Sequence, residues 1–237
     1  MPAEVHRVKI FADGADLERI RILASDPVIQ GFTTNPTLMR GSGVDDYEIF
    51  GREILDVVGD LPVSFEVFAD DPDDMRRQAL KLAAWGPNVY VKIPVTNTEG
   101  TSTAECVRAL SQDGVSVNVT AVFTRRQVEV MTAALAGGSP SYVSVFAGRI
   151  ADAGIDPVPV MQDYLEVIGS EPQIEMIWAS PREILNVVQA DRVGCHVITL
   201  THDLLKKLPS LGKDLDEFSL DTVRMFANDA AEAGYEL

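Results

Sequence analysis

The chain alternates between short runs of β-branched and aromatic residues and longer segments in which apolar residues recur every three to four positions. The first pattern is typical of strands buried on both faces, and the second of amphipathic helices. Strands are predicted at 8–13, 31–35, 62–68, 89–96, 115–123, 142–147, 174–180 and 196–201. Helices are predicted at 16–25, 45–58, 72–85, 101–112, 125–136, 159–168, 181–189 and 203–208, with a ninth at 216–233.

Eight strand–helix units in series, with no long linker, predict α/β architecture: a single (β/α)8 TIM barrel over residues 1–237, with 212–237 as a C-terminal helical extension. A doubly wound open sheet is the alternative, although no Gly-x-Gly-x-x-Gly motif follows the first strand. The ninth helix carries Phe218, Val223 and Phe226 on one stripe. That stripe would either cover a barrel end or pack on a neighbouring subunit.

The run 89–96 contains Lys92, in a segment that is otherwise apolar. Desolvation disfavours an ammonium group, so such a lysine either extends its head group to water or serves as a functional amine. In a barrel, the carboxyl ends of the strands form the active-site face. Polar side chains occupy those ends in six of the other predicted strands: Asp13, Asn35, Glu66, Asn118, Thr120, Ser144 and Ser180. Each alone could be a loop cap, but unpaired burial costs a few kcal/mol, so the set predicts one shared site.

A buried amine beside carboxylates is suited to attack on a ketone carbonyl, which forms a Schiff base. The iminium then accepts the electrons of a neighbouring C–C bond, while Asp13 or Glu66 takes the proton from the hydroxyl on the departing carbon. Thr120 could hold the water that carbinolamine formation releases and hydrolysis consumes. The residues therefore predict Schiff-base chemistry on a carbonyl substrate.

The net charge of −16 argues against a nucleic acid or an anionic membrane surface as partner. An anionic substrate would need a local cation. Cys106 and Cys195 show no metal-ligand spacing, which indicates a reduced, cytoplasmic compartment. No signal peptide and no apolar run near 18 residues is found, so a soluble protein is expected.

Four segments resemble, in chain order, the signature segments of the transaldolase family: 31–36 (GFTTNP), 91–96 (VKIPVT), 117–120 (VNVT) and 143–150 (VSVFAGRI). The chain length is also similar to that of the small transaldolases and the related fructose-6-phosphate aldolases. The resemblance implies a class I, Schiff-base (β/α)8 enzyme that acts on small-molecule sugar phosphates without a metal or an organic cofactor. It also implies a homo-oligomer of five or ten subunits.

The resemblance further implies a role for individual residues. Lys92 would form the Schiff base, Asp13 would transfer the proton at the C4 hydroxyl, and Glu66 and Thr120 would hold the catalytic water. Asn35, Asn118 and Ser144 would bind the dihydroxyacetone part of the donor and Arg149 its phosphate, within a substrate-binding set of Thr33, Asn35, Asn118, Ser144, Phe146, Arg149, Ser180 and Arg182.

Family members that act as fructose-6-phosphate aldolases tend to carry Gln and Tyr where this chain has Glu66 and Phe146. These two positions therefore predict a transaldolase, which passes dihydroxyacetone from a ketose phosphate to an aldose acceptor. The alternatives are an aldolase that releases free dihydroxyacetone and, more distantly, a non-catalytic sugar-phosphate-binding barrel.

The segment 178–182 (WASPR) matches the family only in part. If the turn is short, Ser180 and Arg182 complete the phosphate site. If Pro181 instead begins the next helix, Arg182 is left exposed.

Overall fold

The structure, a computed structural model, describes residues 7–169 and 171–235. Eight strands close into a barrel in chain order, with β8 pairing to β1 and every neighbouring pair parallel. The strands are β1 (Lys9–Asp13), β2 (Ile29–Thr33), β3 (Val63–Glu66), β4 (Val89–Pro94), β5 (Val117–Val122), β6 (Ser141–Val145), β7 (Ile174–Trp178) and β8 (Val197–Thr201). The predicted (β/α)8 barrel is confirmed.

The helices are α1 (Leu17–Leu23), α2 (Pro36–Gly41), α3 (Tyr47–Val58), α4 (Pro72–Ala83), α5 (Ala104–Gln112), α6 (Arg125–Leu135), α7 (Ala147–Asp152), α8 (Pro157–Ile168), α9 (Leu185–Val193), α10 (His202–Leu205) and α11 (Leu215–Ala233). Local signals begin several of them; the Asp46 side chain, for example, accepts the N–H groups of Glu48 and Ile49. Helices α2 and α7 were not predicted, because six residues are too few to show an apolar period.

The helix after β7 begins later than predicted. Pro181 was one candidate for its first turn, but α9 starts at Leu185. The side-chain oxygen of Asn186 accepts the backbone N–H groups of Arg182 (2.7 Å) and Glu183 (3.1 Å), which holds 181–184 as a turn. The prediction of a helix at 181–189 was therefore wrong at its start. The predicted helix at 203–208 is likewise divided, into α10 and a 3₁₀ turn at Leu208–Ser210.

Two apolar cores show which strand faces line the barrel. The larger core lies between the strands and the helices, and the smaller one fills the interior with Phe11, Tyr142, Ile177, Ala179 and Val197. Successive strand residues point to opposite faces. Asp13 shares its face with Phe11, and Ser144 with Tyr142, so both side chains project into the interior. Lys92 does so too, since it shares its face with Tyr90, which packs against the inner core.

Polar side chains complete the amino-terminal half of the interior. Lys9 and Glu175 form an ion pair with Nζ–Oε contacts of 2.7 and 2.5 Å, and the rings of Tyr90 and Tyr142 lie 4.3 Å apart. The interior is therefore filled at this end, and a cavity lies at the carboxyl ends of the strands.

Helix α11 buries none of its residues. Its stripe is exposed at Phe218 (44%), Val223 (59%) and Phe226 (62%), so the helix does not use this stripe to cover a barrel end. No helix within the described ranges, α11 included, is both long and apolar enough to cross a membrane.

Candidate active site

The cavity at the carboxyl ends of the strands has a volume of about 140 Å³. Its lining includes Asp13, Thr33, Asn35, Lys92, Thr120, Ser144, Phe146, Arg149, Ser180 and Arg182, all of them predicted site residues. Two further predicted residues, Glu66 and Asn118, contact members of this lining instead. The structure thus brings the predicted set together at one place.

Lys92 is only 7% exposed. Its Nζ donates a hydrogen bond to the carbonyl oxygen of Thr34 at 3.0 Å and lies 3.8 Å from Oε2 of Glu66. Strand register sets this arrangement, because Glu66 pairs with Lys92 and Lys92 with Asn118 across β3, β4 and β5. The amine is therefore held inside the barrel rather than extended to water.

Two carboxyl groups accompany the amine. Burial raises the pKa of Asp13, and this rise is opposed by the positive charge of Lys92 and by a hydrogen bond from Thr33. Burial also raises the pKa of Glu66, which Lys92 lowers and the charge of Asp13 raises further. Largely buried carboxyls with shifted pKa values around one amine are typical of sites that move protons.

Thr120 presents an unpaired hydroxyl to the cavity. Its Oγ1 is buried and has no hydrogen-bond partner within the described part of the chain. The next residue, Ala121, has a left-handed backbone (φ 58°), and the β5–β6 register shifts between Val119 and Val122. Such a bulge redirects side chains and carries backbone strain. The hydroxyl is consequently available to a water molecule or a substrate.

The interior amides are already partly hydrogen bonded. Asn118 is fully buried; its Oδ1 accepts from the hydroxyl of Ser144 (2.7 Å), and its Nδ2 donates to that of Ser64 (2.9 Å). The Oδ1 of Asn35 accepts the N–H of Leu38 (3.0 Å) and caps α2. Asn35 is thus both a helix cap and a cavity residue. The cap uses only its Oδ1, so the amide nitrogen is left to donate a hydrogen bond within the cavity.

Gly148 explains how α7 reaches the cavity. A Cβ atom at this position would lie 1.6 Å from the carbonyl oxygen of Ser180, so only glycine allows this close approach. The N–H of Gly148 donates to the carbonyl of Ala179 at 3.3 Å. Ser180 has a left-handed backbone (φ 58°) in this turn. The contact fixes the start of α7, and therefore Arg149, beside the turn after β7.

Two guanidinium groups line the cavity. Arg149 lies over the ring of Phe146 at 5.5 Å and forms no salt bridge within the described residues. Arg182 is about half exposed, and its Nε donates to Oδ1 of Asp152 at 3.0 Å, with a second bond to Oδ2. Of the two, Arg149 has the less compensated charge.

Three cavity or near-cavity hydroxyls were missed in the sequence: Ser64, Thr199 and Thr201. Ser64 lies two residues before Glu66, and the segment 198–201 (ITLT) alternates apolar and hydroxyl side chains. The parity argument that identified Lys92 could have identified these residues as well.

Tyr47 supports the backbone of Glu66. Its hydroxyl accepts the N–H of Glu66 (2.8 Å) and donates to the carbonyl of Glu66 (3.0 Å). The paired register of β2 with β3 ends at Thr33 and Ser64, so the phenol takes the place of a strand partner beyond that point. This contact joins α3 to the end of β3.

Tyr47→Phe is expected to lower the free energy of unfolding by about 1–3 kcal/mol, because it leaves a donor and an acceptor of the backbone unpaired. Chemical denaturation would measure this. Tyr164→Phe is the matched control, since that hydroxyl donates to one carbonyl only, that of Phe123. A Tyr47→Phe variant no less stable than Tyr164→Phe would contradict this account of Tyr47.

A family model described as Transaldolase/Fructose-6-phosphate aldolase matches residues 10–237. A protein named "Probable transaldolase" from Methanococcus maripaludis (strain DSM 14266) is 38% identical over 202 residues, covering 85% of this chain and 89% of that protein. Proteins of the same name from Thermoanaerobacter sp. (strain X514) and Dehalococcoides mccartyi are each 37% identical, covering 85% of this chain and 89% and 90% of theirs.

Solved structures that resemble the chain share its fold at low identity. A 2,3-dimethylmalate lyase superposes with a TM-score of 0.58 at 10% identity, covering 97% of this chain and 84% of that one. A putative lyase/mutase from Burkholderia cenocepacia J2315 gives 0.59 at 13% identity, covering 96% and 85%. At such identities the likeness concerns the barrel alone.

Proposed function

This chain belongs to the transaldolase/fructose-6-phosphate aldolase family, and from that premise we propose that it is a transaldolase. It takes a ketose phosphate such as fructose 6-phosphate or sedoheptulose 7-phosphate, releases an aldose phosphate, and keeps a dihydroxyacetone unit on Lys92. It then passes that unit to another aldose. The reaction needs no metal and no organic cofactor.

The observation that carries this proposal is the position of the Lys92 amine. It lies inside the barrel, 3.8 Å from the carboxylate of Glu66, in a cavity that Asp13 and Thr120 also line. A secluded amine needs nearby groups to deliver and remove protons if it is to form and hydrolyse an imine. The surrounding carboxyls and the unpaired hydroxyl meet that need.

The reaction proceeds in two halves. Lys92 attacks the ketone carbonyl, and loss of water gives the iminium. Asp13 removes the proton of the C4 hydroxyl, the C3–C4 bond breaks, and its electrons pass to the iminium to give an enamine. The enamine attacks the acceptor aldehyde, Asp13 returns the proton to the new hydroxyl, and water held by Glu66 and Thr120 hydrolyses the product from Lys92.

Reduction with borohydride in the presence of fructose 6-phosphate tests the proposal. Hydride would convert the Schiff base into a stable amine, so we expect a dihydroxyacetone-derived mass increase on the peptide that contains Lys92. An adduct on a different peptide, or none in an otherwise folded protein, would overturn the mechanism.

Glu66 and Phe146 support transfer over release of free dihydroxyacetone. An ionised Glu66 can orient the catalytic water, and Phe146 contributes no hydroxyl to it. A difference of only about 1–2 kcal/mol between the activation free energies of transfer and release makes one reaction of the enamine ten- to thirtyfold faster than the other. Cleavage of fructose 6-phosphate should therefore depend on an aldose acceptor. Equal rates with and without acceptor would favour the aldolase instead.

We place the donor phosphate at Arg149. Charge-assisted hydrogen bonds contribute about 1.5–3 kcal/mol, so Arg149→Ala should raise the KM for fructose 6-phosphate roughly 10- to 100-fold. Arg182→Ala is the matched comparison and should raise it less, because Asp152 already binds that guanidinium. Steady-state kinetics of both variants decide whether Arg182 completes the phosphate site. A larger effect at Arg182 would reverse the assignment.

We also propose that the chain forms a homo-oligomer through α11. The exposed stripe of this helix would be covered by a second copy, which removes apolar area from water. Phe226→Glu should reduce the assembly mass in light scattering coupled to size exclusion. Asn228→Glu adds the same charge on the opposite side of α11 and should leave the mass unchanged. Equal masses for the two variants would exclude α11 as the contact.

A further inference from the structure

Two buried threonine hydroxyls form a chain that ends on Asp13. Oγ1 of Thr199 lies 2.6 Å from Oγ1 of Thr33, and Oγ1 of Thr33 donates to Oδ1 of Asp13 at 2.8 Å. Thr33 is 2% exposed and Thr199 is 6% exposed. The residues lie on three adjacent strands, with Asp13 level with Thr33 and Thr199 level with Phe11. Among the described residues, Thr199 is linked to the carboxylate only through the hydroxyl of Thr33.

The direction of these bonds follows from the charge of Asp13. An ionised carboxylate only accepts hydrogen bonds, so Thr33 must donate its single proton to Asp13. The bond between the two threonines then has to be donated by Thr199. A hydroxyl that accepts one hydrogen bond donates a stronger one, so Thr199 strengthens the contact of Thr33 with the carboxylate.

The two threonine hydroxyls also orient the carboxyl group. Oδ1 is held by Thr33, whereas Oδ2 has no hydrogen bond within the described part of the chain. The fixed oxygen restricts rotation of the group, and the other oxygen is left for the substrate. The cavity that Asp13 lines with Lys92 is the place where a substrate hydroxyl would meet it.

We propose that Thr199 is a positioning residue that acts through Thr33 to hold Asp13 ionised and to present its free oxygen to the substrate. This rests on the proposed function, in which Asp13 takes the proton of a substrate hydroxyl as the C–C bond breaks and returns it when the new bond forms. Neither threonine gains or loses a proton in the cycle. Thr33, which resemblance assigns to substrate binding, thereby serves the carboxylate.

Thr199→Val removes the hydroxyl but keeps a similar shape. The acid limb of the kcat–pH profile should move up by about half a pH unit to one unit, which corresponds to one ordinary hydrogen bond. Below that limb kcat should fall about 3- to 10-fold, while above it kcat should change less than about twofold and KM should stay within about twofold. Thr199→Ser, which keeps the hydroxyl, should restore the wild-type profile.

We call the action of Thr199 on Asp13 through the Thr33 hydroxyl the threonine relay. A double-mutant cycle distinguishes this relay from an effect of side-chain packing. Thr33→Val should shift the limb at least as far as Thr199→Val, and the double variant should match Thr33→Val, since Thr199 acts only through Thr33. Thr132→Val is the control and should leave the limb unshifted, because that buried hydroxyl on α6 has no partner within the described residues and is not part of the cavity lining. Three results would each overturn the proposal. They are additive shifts of the acid limb in the double variant, no shift of the limb in Thr199→Val, or a shift in Thr199→Ser as large as that in Thr199→Val.

A direct titration of Asp13 tests the threonine relay separately from the proposed reaction. The full chain labelled with ¹³C at the aspartate carboxyl carbons would report the Asp13 titration in the absence of substrate, with its signal identified by Asp13→Asn. If borohydride traps nothing on Lys92 but Thr199→Val still shifts this titration upward, the transaldolase proposal fails and the relay stands. If trapping succeeds and the titration is unmoved, only the relay fails.

Discussion

Lys92→Met should reduce turnover of fructose 6-phosphate by at least about 10⁴-fold, a loss of the size seen when a covalent nucleophile is removed. Methionine is similar in length but cannot form an imine, and no other amine lies within the lining of the cavity. Borohydride should therefore leave no adduct. Steady-state assays and intact-protein mass spectrometry measure both effects.

Lys81→Met is the matched control for this change. Lys81 lies on the exposed face of α4, where it pairs with Glu48 at 2.7 Å. The same substitution there should leave turnover and trapping unchanged. Near-uv circular dichroism would verify that both variants are folded. Persistent turnover by a folded Lys92→Met protein would rule out the covalent route.

Asp13→Asn should lower kcat by about 10²- to 10⁴-fold, the usual contribution of a positioned acid–base group. Because Lys92 is intact, borohydride should still trap a Schiff base, which distinguishes this variant from Lys92→Met. The change in KM should be small. A variant that loses trapping but cleaves any remaining imine normally would assign Asp13 to imine formation instead.

The pH dependence follows from the same carboxyl group. In the proposed reaction Asp13 must be ionised to accept the substrate proton, and burial raises its pKa. Wild-type kcat should therefore fall as the pH decreases through a value above the ordinary aspartate range. Burial also raises the pKa of Glu66, so Glu66→Gln is needed as a comparison. If Asp13 is the base, the limb persists in Glu66→Gln and disappears in Asp13→Asn.

Much of the barrel could be predicted because strand patterns are local. Alternation of Glu66, Lys92 and Asn118 with fully buried apolar neighbours marks the interior face without knowledge of any partner strand. The same rule applied to 198–201 predicts that Thr199 faces the interior, so the position of this residue was also predictable. The short helices α2 and α7 are different, since six residues carry no period and their caps depend on the loops around them.

The conformation of the turn after β7, on the side of the cavity proposed to bind phosphate, could not be predicted. Pro181 is a good local signal for a helix start, yet the side chain of Asn186 holds the preceding turn and delays α9. The pairing of Arg182 with Asp152 joins residues 30 positions apart, from different strand–helix units. Neither contact leaves a signal in the segment 178–182.

The sequence by itself determined the order of strands and helices, the interior position of Lys92, and the family resemblance, because alternation and apolar period are properties of neighbouring residues. Only the tertiary structure decided that Thr199 reaches Asp13 through Thr33, that Tyr47 replaces a strand partner of Glu66, and that Arg149 is the less compensated cation. Each of these depends on distances of a few ångströms between segments far apart in the chain. Strand register and barrel closure set those distances, and no single segment encodes them.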